Sequence, residues 1–158
     1  MVQSKIIGVP ATQELINQMK GRLRQADRQE IRASHNINPD RALELSFQSS
    51  ERAYVGLLEG LPMIAFGVVR PSLLSRIGVI WMLSTPEIEA NLSRFSLGKR
   101  CIRYVADLLR DFDEIGNYID IRNKISLKWL QWIGFTIEPP EPYGIYNMLF
   151  SKFYIRKK

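Results

Sequence analysis

Cysteine and histidine are nearly missing, with Cys101 and His35 the single representatives of each in 158 residues. One thiol forms no internal disulfide, and one thiol with one imidazole gives no metal-ligand spacing, so a disulfide-stapled scaffold and a zinc-type centre are excluded and a reducing compartment is expected. No nucleophile elbow for Ser-His-Asp chemistry occurs. No apolar run approaches the length that spans a bilayer, and the opening "MVQSKIIGVPATQE" lacks a basic segment leading into an apolar stretch and a cleavage site. Repeats, linkers and low-complexity tracts are also lacking. These absences predict a soluble intracellular protein made of one domain over residues 1–158, long enough to bury roughly two-thirds of its unfolded surface.

What is present is an ordinary globular composition, 46% apolar and 24% charged, with 22 Lys+Arg against 16 Asp+Glu for a net charge of +6. That excess suits nucleic acid, an acidic protein surface or an anionic cofactor without choosing among them. Arg22, Arg24, Arg28 and Arg32 in the first helical run are the candidates for phosphate contact without sequence selection.

Hydrophobic spacing divides the chain into elements. "KIIGV" reads as a strand, and "PATQELINQMKGRLRQADRQEIRAS" as one long helix with Leu15, Met19 and Leu23 in register and Thr12 near its start. "PDRALELSFQSS" is a second helix. "AYVGLLEG" and "LPMIAFGVV" form a hairpin around Glu59-Gly60, and "RIGVIWML" is a further strand. The longest helix, "ANLSRFSLGKRCIRYVADLLRDF", carries Leu92, Phe95, Ile102, Val105, Leu109 and Phe112 on one stripe, with Gly98 among them. Strand "NYIDI" follows, then a helix with Ile125, Trp129 and Ile133 on one face, capped by Gly134, then "GFTI", the loop "PPEPYG" and the closing strand "IYNMLFSKFYI". Trp132 is expected nearer the surface, supporting that loop. This order predicts an α/β fold: a mixed sheet with helices on both faces and a parallel strand-helix-strand crossover from "RIGVIWML" to "NYIDI".

Asn123, Ser126, Gly134 and Phe135 in "NKISLKWLQWIGF" stand in a pattern that resembles the GNAT superfamily of N-acyltransferases, where an Asn closes the fifth strand, a short helix follows, and Gly-Phe begins the next strand. More specifically, "WMLSTPE", "YIDIRNKISLKWLQWIGF" and "EIRASHNINPDRALELS" together are similar to the GNAT-like family of short-tailed bacteriophages of the internal virion protein A type. The resemblance covers nearly the whole chain. It implies a GNAT-like, mostly antiparallel sheet and a virion-assembly or internal virion protein with a degenerate acetyl-CoA site, hence no cofactor. It also implies other phage structural or assembly proteins as partners, and the cytoplasm of the infected host, with virion association, as the location. An active N-acetyltransferase using acetyl-CoA is the alternative, and a basic nucleic-acid-binding module a third reading.

Acyl transfer from a thioester to an amine needs a seat for pantetheine and pyrophosphate, a polariser for the carbonyl, a base and an acid. The resemblance places the pyrophosphate at the head of the long helix, in "STPEIEANLSRFSLGKR", where backbone N–H groups bind anions. The expected Arg/Gln-x-x-Gly-x-Gly/Ala does not occur there, and Glu87 and Glu89 repel a diphosphate. Arg94, Lys99 and Arg100 are the cations that offset them. The cofactor candidates are Met82, Leu83 and Ser84 by their backbone, with Arg94, Gly98 and Asn123. The thiolate acid of the family, seven positions beyond the Asn, falls on Leu130, with Tyr143 and Tyr146 as substitutes. For catalytic groups the candidates are Glu30, His35 and Asn123, with Glu44 and Asp120 also weighed as bases. Asp120 is expected to hold Arg122.

Overall fold

A computed structural model describes residues 6–90 and 95–158, with side chains in the second stretch from residue 99 onward. Its elements are β1 (Ile6–Pro10), α1 (Gln13–Met19), α2 (Gln25–Ser34), α3 (Pro39–Ser49), β2 (Ser50–Leu58), β3 (Leu61–Val69), β4 (Ile77–Ser84), α4 (Phe95–Leu109), β5 (Glu114–Asp120), α5 (Lys124–Ile133), β6 (Thr136–Ile137), β7 (Glu141–Tyr143) and β8 (Met148–Arg156). The strands form one sheet in the order β1-β2-β3-β4-β5-β8-β6, with β7 also on β8. Among the described strands only β4 and β5 run parallel. The predicted mixed, mostly antiparallel sheet with one parallel crossover is thus observed.

Local chemistry explains most boundaries. The Thr12 side chain accepts from Leu15 N–H to start α1, and Asn38 does the same for Asp40 and Arg41 at the head of α3. Glu59 and Gly60, both at positive φ, turn β2 into β3, and Gly134 at φ 112° ends α5 in the left-handed region. The two faces of β4 separate the cores. Trp81 and Leu83 pack with Ile16, Met19, Leu23 and Leu43 of the α1/α3 side, whereas Ile80 and Met82 pack with Val105, Leu108, Trp129 and Leu130 of the α4/α5 side.

Four expectations are corrected. The single long first helix is two, because the chain turns at Gly21 (φ 76°) and Arg24 is drawn into the interior. Along α4 the buried stripe is Val105, Leu108 and Leu109, continued past the helix end by Phe112, while Ile102 is exposed; Leu92 lies outside the described residues, and so does the Phe95 side chain. On α5, Trp129 and Ile133 are buried as expected, but Ile125 faces out and Leu130 and Ser126 complete the inner face. The loop "PPEPYG" holds the short strand β7, and β8 begins at Met148, later than the aromatic run suggested. No helix among the described residues is long and apolar enough to cross a membrane.

Candidate functional site

The site is built from a failure of pairing. β4 and β5 align through Ile77↔Glu114, Gly78↔Ile115 and Val79↔Gly116 and then part. Asn117 bridges the first step of the gap, its Nδ2 donating to Ile80 O at 2.7 Å. Beyond that point no described strand bonds this edge of β4. A cavity of about 330 Å³ opens in the splay and crosses the sheet, lined by Trp81 and Leu83 on one face and Ile80 and Met82 on the other.

Helix α2 closes the far end of this gap. Arg24 and Asp27, each 2% exposed, form a bidentate pair, Nε to Oδ2 at 3.0 Å and Nη2 to Oδ1 at 3.0 Å. Asp27 Oδ2 also accepts from the Ser84 N–H at 2.9 Å and the Ser84 hydroxyl at 3.2 Å, while the Arg24 N–H donates to Ser84 O at 2.8 Å. Arg24 Nη2 then reaches Ser126 Oγ on α5 at 2.7 Å. The two outward-facing backbone groups of Ser84 are therefore bonded to α2, and α2 is bonded to α5. By the two-residue alternation of a strand, the N–H and C=O of Met82 point into the same cleft. Burial raises the Asp27 pKa, against the pull of Arg24 and of the Ser84 hydrogen bonds.

Glu30, one turn along α2, lies beside this network. Its Oε1 accepts the Asp120 N–H at 2.6 Å. Loss of hydration, reinforced by the Asp27 and Asp120 carboxylates, pushes its pKa up to about 8 even though the Asp120 N–H pulls the other way. The residue keeps some surface toward the cavity, but the carboxyl itself is enclosed by protein, and enclosure governs its charge. Tyr118 and Tyr143, stacked at 4.1 Å, form an aromatic wall of the same chamber. Asp120 holds Arg122 through a 2.6 Å pair, as its sequence position suggested.

The other candidates scatter. Asn123 is 6% exposed and lines the chamber without capping α5. His35 ends α2 at the chamber rim, Nδ1 2.8 Å from Ser34 Oγ. Glu44 is committed on the surface to Gln13 and Lys20, outside the chamber. Of the backbone trio, Met82 turns its N–H and C=O toward the chamber, Leu83 turns its own toward β3, and the Ser84 amide is already engaged. Arg94 lies outside the described residues, as do the surroundings of Gly98. Arg100 lines the chamber and donates to Ile6 O. Leu130 is buried core, and Tyr146 is exposed away from the chamber while Tyr143 lines it. Burial pushes the Cys101 thiol up to about 12, so it is no nucleophile.

Of the expected arginine row, Arg32 is exposed and the other three are engaged within the chain. Arg24 is buried in its ion pair, Arg28 is spent on the carbonyls of Leu23 and Gly21, and Arg22 on that of Gln18. No group of three metal-ligating side chains occurs among the described residues.

Two features of the described residues oppose an acetyl-CoA seat. A pantetheine seated along β4 needs the edge that α2 occupies at Ser84. The turn after β4, Pro86–Ile88, is flanked by Glu87 and Glu89, and the Glu89 carboxylate lies 3.6 Å from Arg24 Nη1. Carboxylates there oppose a diphosphate.

No family model matches this sequence, and no curated protein matches it. Solved structures do. Spermidine N-acetyltransferase from Vibrio cholerae, in complex with CoA and spermine, is 14% identical with a TM-score of 0.66 over 96% of this chain and 95% of that one. An acetyltransferase of the GNAT family from Streptococcus pneumoniae is 10% identical with a TM-score of 0.63 over 97% and 100%. IAA acetyltransferase from Bacillus cereus is 11% identical with a TM-score of 0.61 over 97% and 100%. At these identities the likeness is one of architecture: the chain has the fold of GNAT acetyltransferases.

Proposed function

We propose that this chain is a GNAT-fold bacteriophage protein that serves virion assembly or resides inside the virion, and that its acetyl-CoA seat has been closed by its own side chains. The observation that carries this reading is the bond set Arg24–Asp27–Ser84–Ser126, which spends the β4 edge on internal structure. The acidic turn at Glu87 and Glu89 and the apolar Leu130 favour the same reading. Phage origin and virion role come from the likeness of "WMLSTPE" and "YIDIRNKISLKWLQWIGF" to the short-tailed phage family. Its partners are then other phage structural or assembly proteins met in the cytoplasm of the infected host. Fold by itself assigns none of this.

Interrupting the reading frame in the phage that encodes the protein, with complementation from a plasmid, tests the role. Stalled or non-infectious particles are expected, rescued by the plasmid. Normal yields of infectious particles without the protein contradict it.

A second reading, an active N-acetyltransferase, is favoured by one specific feature: Glu30, with its pKa raised to about 8, borders an open splay toward which Met82 presents its backbone. That reading requires acetyl-CoA to bind.

A further inference from the structure

We infer that the cationic surface running from α2 across Arg122 to the outer face of α5 binds single-stranded nucleic acid, with phosphates on its free cations and unpaired bases on the rings of Tyr146 and Trp132. None of the residues that form it lines the chamber, and the role is independent of coenzyme and of virion assembly.

The surface starts in a shallow groove beside α2. Gln29, Arg32, Asn36, Arg122, Tyr146 and Met148 line it, and no acid does. Gln29, Arg32 and Asn36 follow at three- and four-residue steps and share the outward side of α2, while Asp27 is buried and Glu30 turns inward to the Asp120 N–H. Arg32 is exposed and has no hydrogen-bond or ion-pair partner among the described residues. Arg122 places Nε and Nη2 on Asp120 and keeps Nη1 unbonded, so it adds a donor rather than net charge.

Helix α5 continues the surface. The Lys124 N–H bonds Arg122 O at 3.0 Å, and Lys128 and Trp132 follow Lys124 at successive four-residue steps, so the three rise along one face over about 12 Å. Both lysines are exposed without a partner among the described residues, and α5 contains no acidic residue. Arg32, Lys124 and Lys128 are therefore uncompensated cations lying between two exposed rings, Tyr146 at 56% and Trp132 at 50%.

That alternation selects the partner. A nucleic-acid strand offers a row of phosphates and, where unpaired, flat base faces that stack on aromatic side chains; a duplex hides those faces in its own stack. An acidic peptide supplies the charge without the planar groups. An anionic membrane calls for an apolar face to insert, whereas this face of α5 presents lysines along most of its length.

Fluorescence anisotropy of labelled oligo-dT of about twelve nucleotides, titrated with the full chain, tests the assignment. With Arg32, Lys124 and Lys128 on phosphates, log K should fall against log salt with a slope of about −2, a loss of about 15- to 20-fold between roughly 50 and 200 mM. The same strand paired with oligo-dA should bind about tenfold more weakly. Replacing both lysines, Lys124→Ala with Lys128→Ala, should reduce the slope to about −0.7. Tyr146→Ala should weaken oligo-dT about fivefold or more, and Tyr146→Phe, which keeps the ring, should not. In the unmodified protein oligo-dT should quench tryptophan emission, and since Trp81 and Trp129 are buried the quenched ring is Trp132, a readout that holds even where a variant folds poorly. The proposal is overturned by no binding of oligo-dT at low salt or by a slope near zero. It is equally overturned by the duplex, polyglutamate or phosphatidylserine vesicles binding as tightly, by the lysine or Tyr146→Ala variants matching the parent, or by unquenched emission. None of these outcomes bears on the particle experiment, so the two readings fail separately.

Discussion

Asp27→Ala should lower the unfolding free energy by about 3–5 kcal/mol, because it leaves a buried guanidinium without its counter-charge. Arg24 is 2% exposed and has two of its nitrogens on Asp27, so the truncation strands a cation in the interior. It also deprives the Ser84 N–H of its acceptor on an edge where no strand can replace it. Since whole domains of this kind are stable by only about 5–15 kcal/mol, the variant should sit near its folding threshold. Asp27→Asn retains one acceptor and should lose less, which separates loss of charge from loss of the hydrogen bond. Urea denaturation followed by fluorescence measures both. A loss below about 1 kcal/mol for Asp27→Ala would mean that Glu89, 3.6 Å from Arg24 Nη1, takes over as partner and that the lock on Ser84 is dispensable.

Glu30→Gln should have an effect that depends on pH. In the folded chain the Glu30 pKa stands at about 8, against an ordinary value of 4.5. A carboxyl raised in this way favours folding in its protonated form. The contribution is fully present below 4.5 and is lost as pH climbs to about 8, where the unfolded chain is ionised and the folded chain is forced to follow. Glutamine mimics the neutral acid and keeps an oxygen for the Asp120 N–H, so it lacks this loss. The stability of the variant relative to the parent should therefore rise by about 1.4 kcal/mol per pH unit between pH 5 and 8, a total on the order of 2–4 kcal/mol. Other carboxylates titrate alike in both proteins and cancel. A difference that stays flat across that window would show Glu30 to be solvated and ionised in the fold.

What could be read from sequence is what is settled locally. Thr12 and Asn38 cap helices with their own side chains, Gly134 takes a left-handed conformation that few other residues tolerate, and the short apolar run in "RIGVIWML" marks β4. The parallel crossover followed from strand-helix-strand order. Burial decisions made across the sheet were not legible. Arg24 and Asp27, three apart in a charged helical run, look like an exposed ion pair, and nothing near them in sequence announces that Ser84 and Ser126 will enclose them. Asp27 went unnoticed for that reason. Ile102 fell on the apolar stripe of α4 by spacing, yet the sheet meets the neighbouring face through Leu108. Among the candidate bases Glu30 could be named, but its raised pKa comes from burial where α2 meets Asp120, ninety residues away.

The central claim, that β4 no longer offers a coenzyme seat, is tested most directly by calorimetric titration of acetyl-CoA into the unmodified protein at pH 7 and low salt. With Ser84 bonded to Asp27 and with Glu87 and Glu89 at the turn, no saturable heat is expected up to millimolar coenzyme. Saturable binding at micromolar concentration would contradict the account and return the chain to the working acetyltransferases.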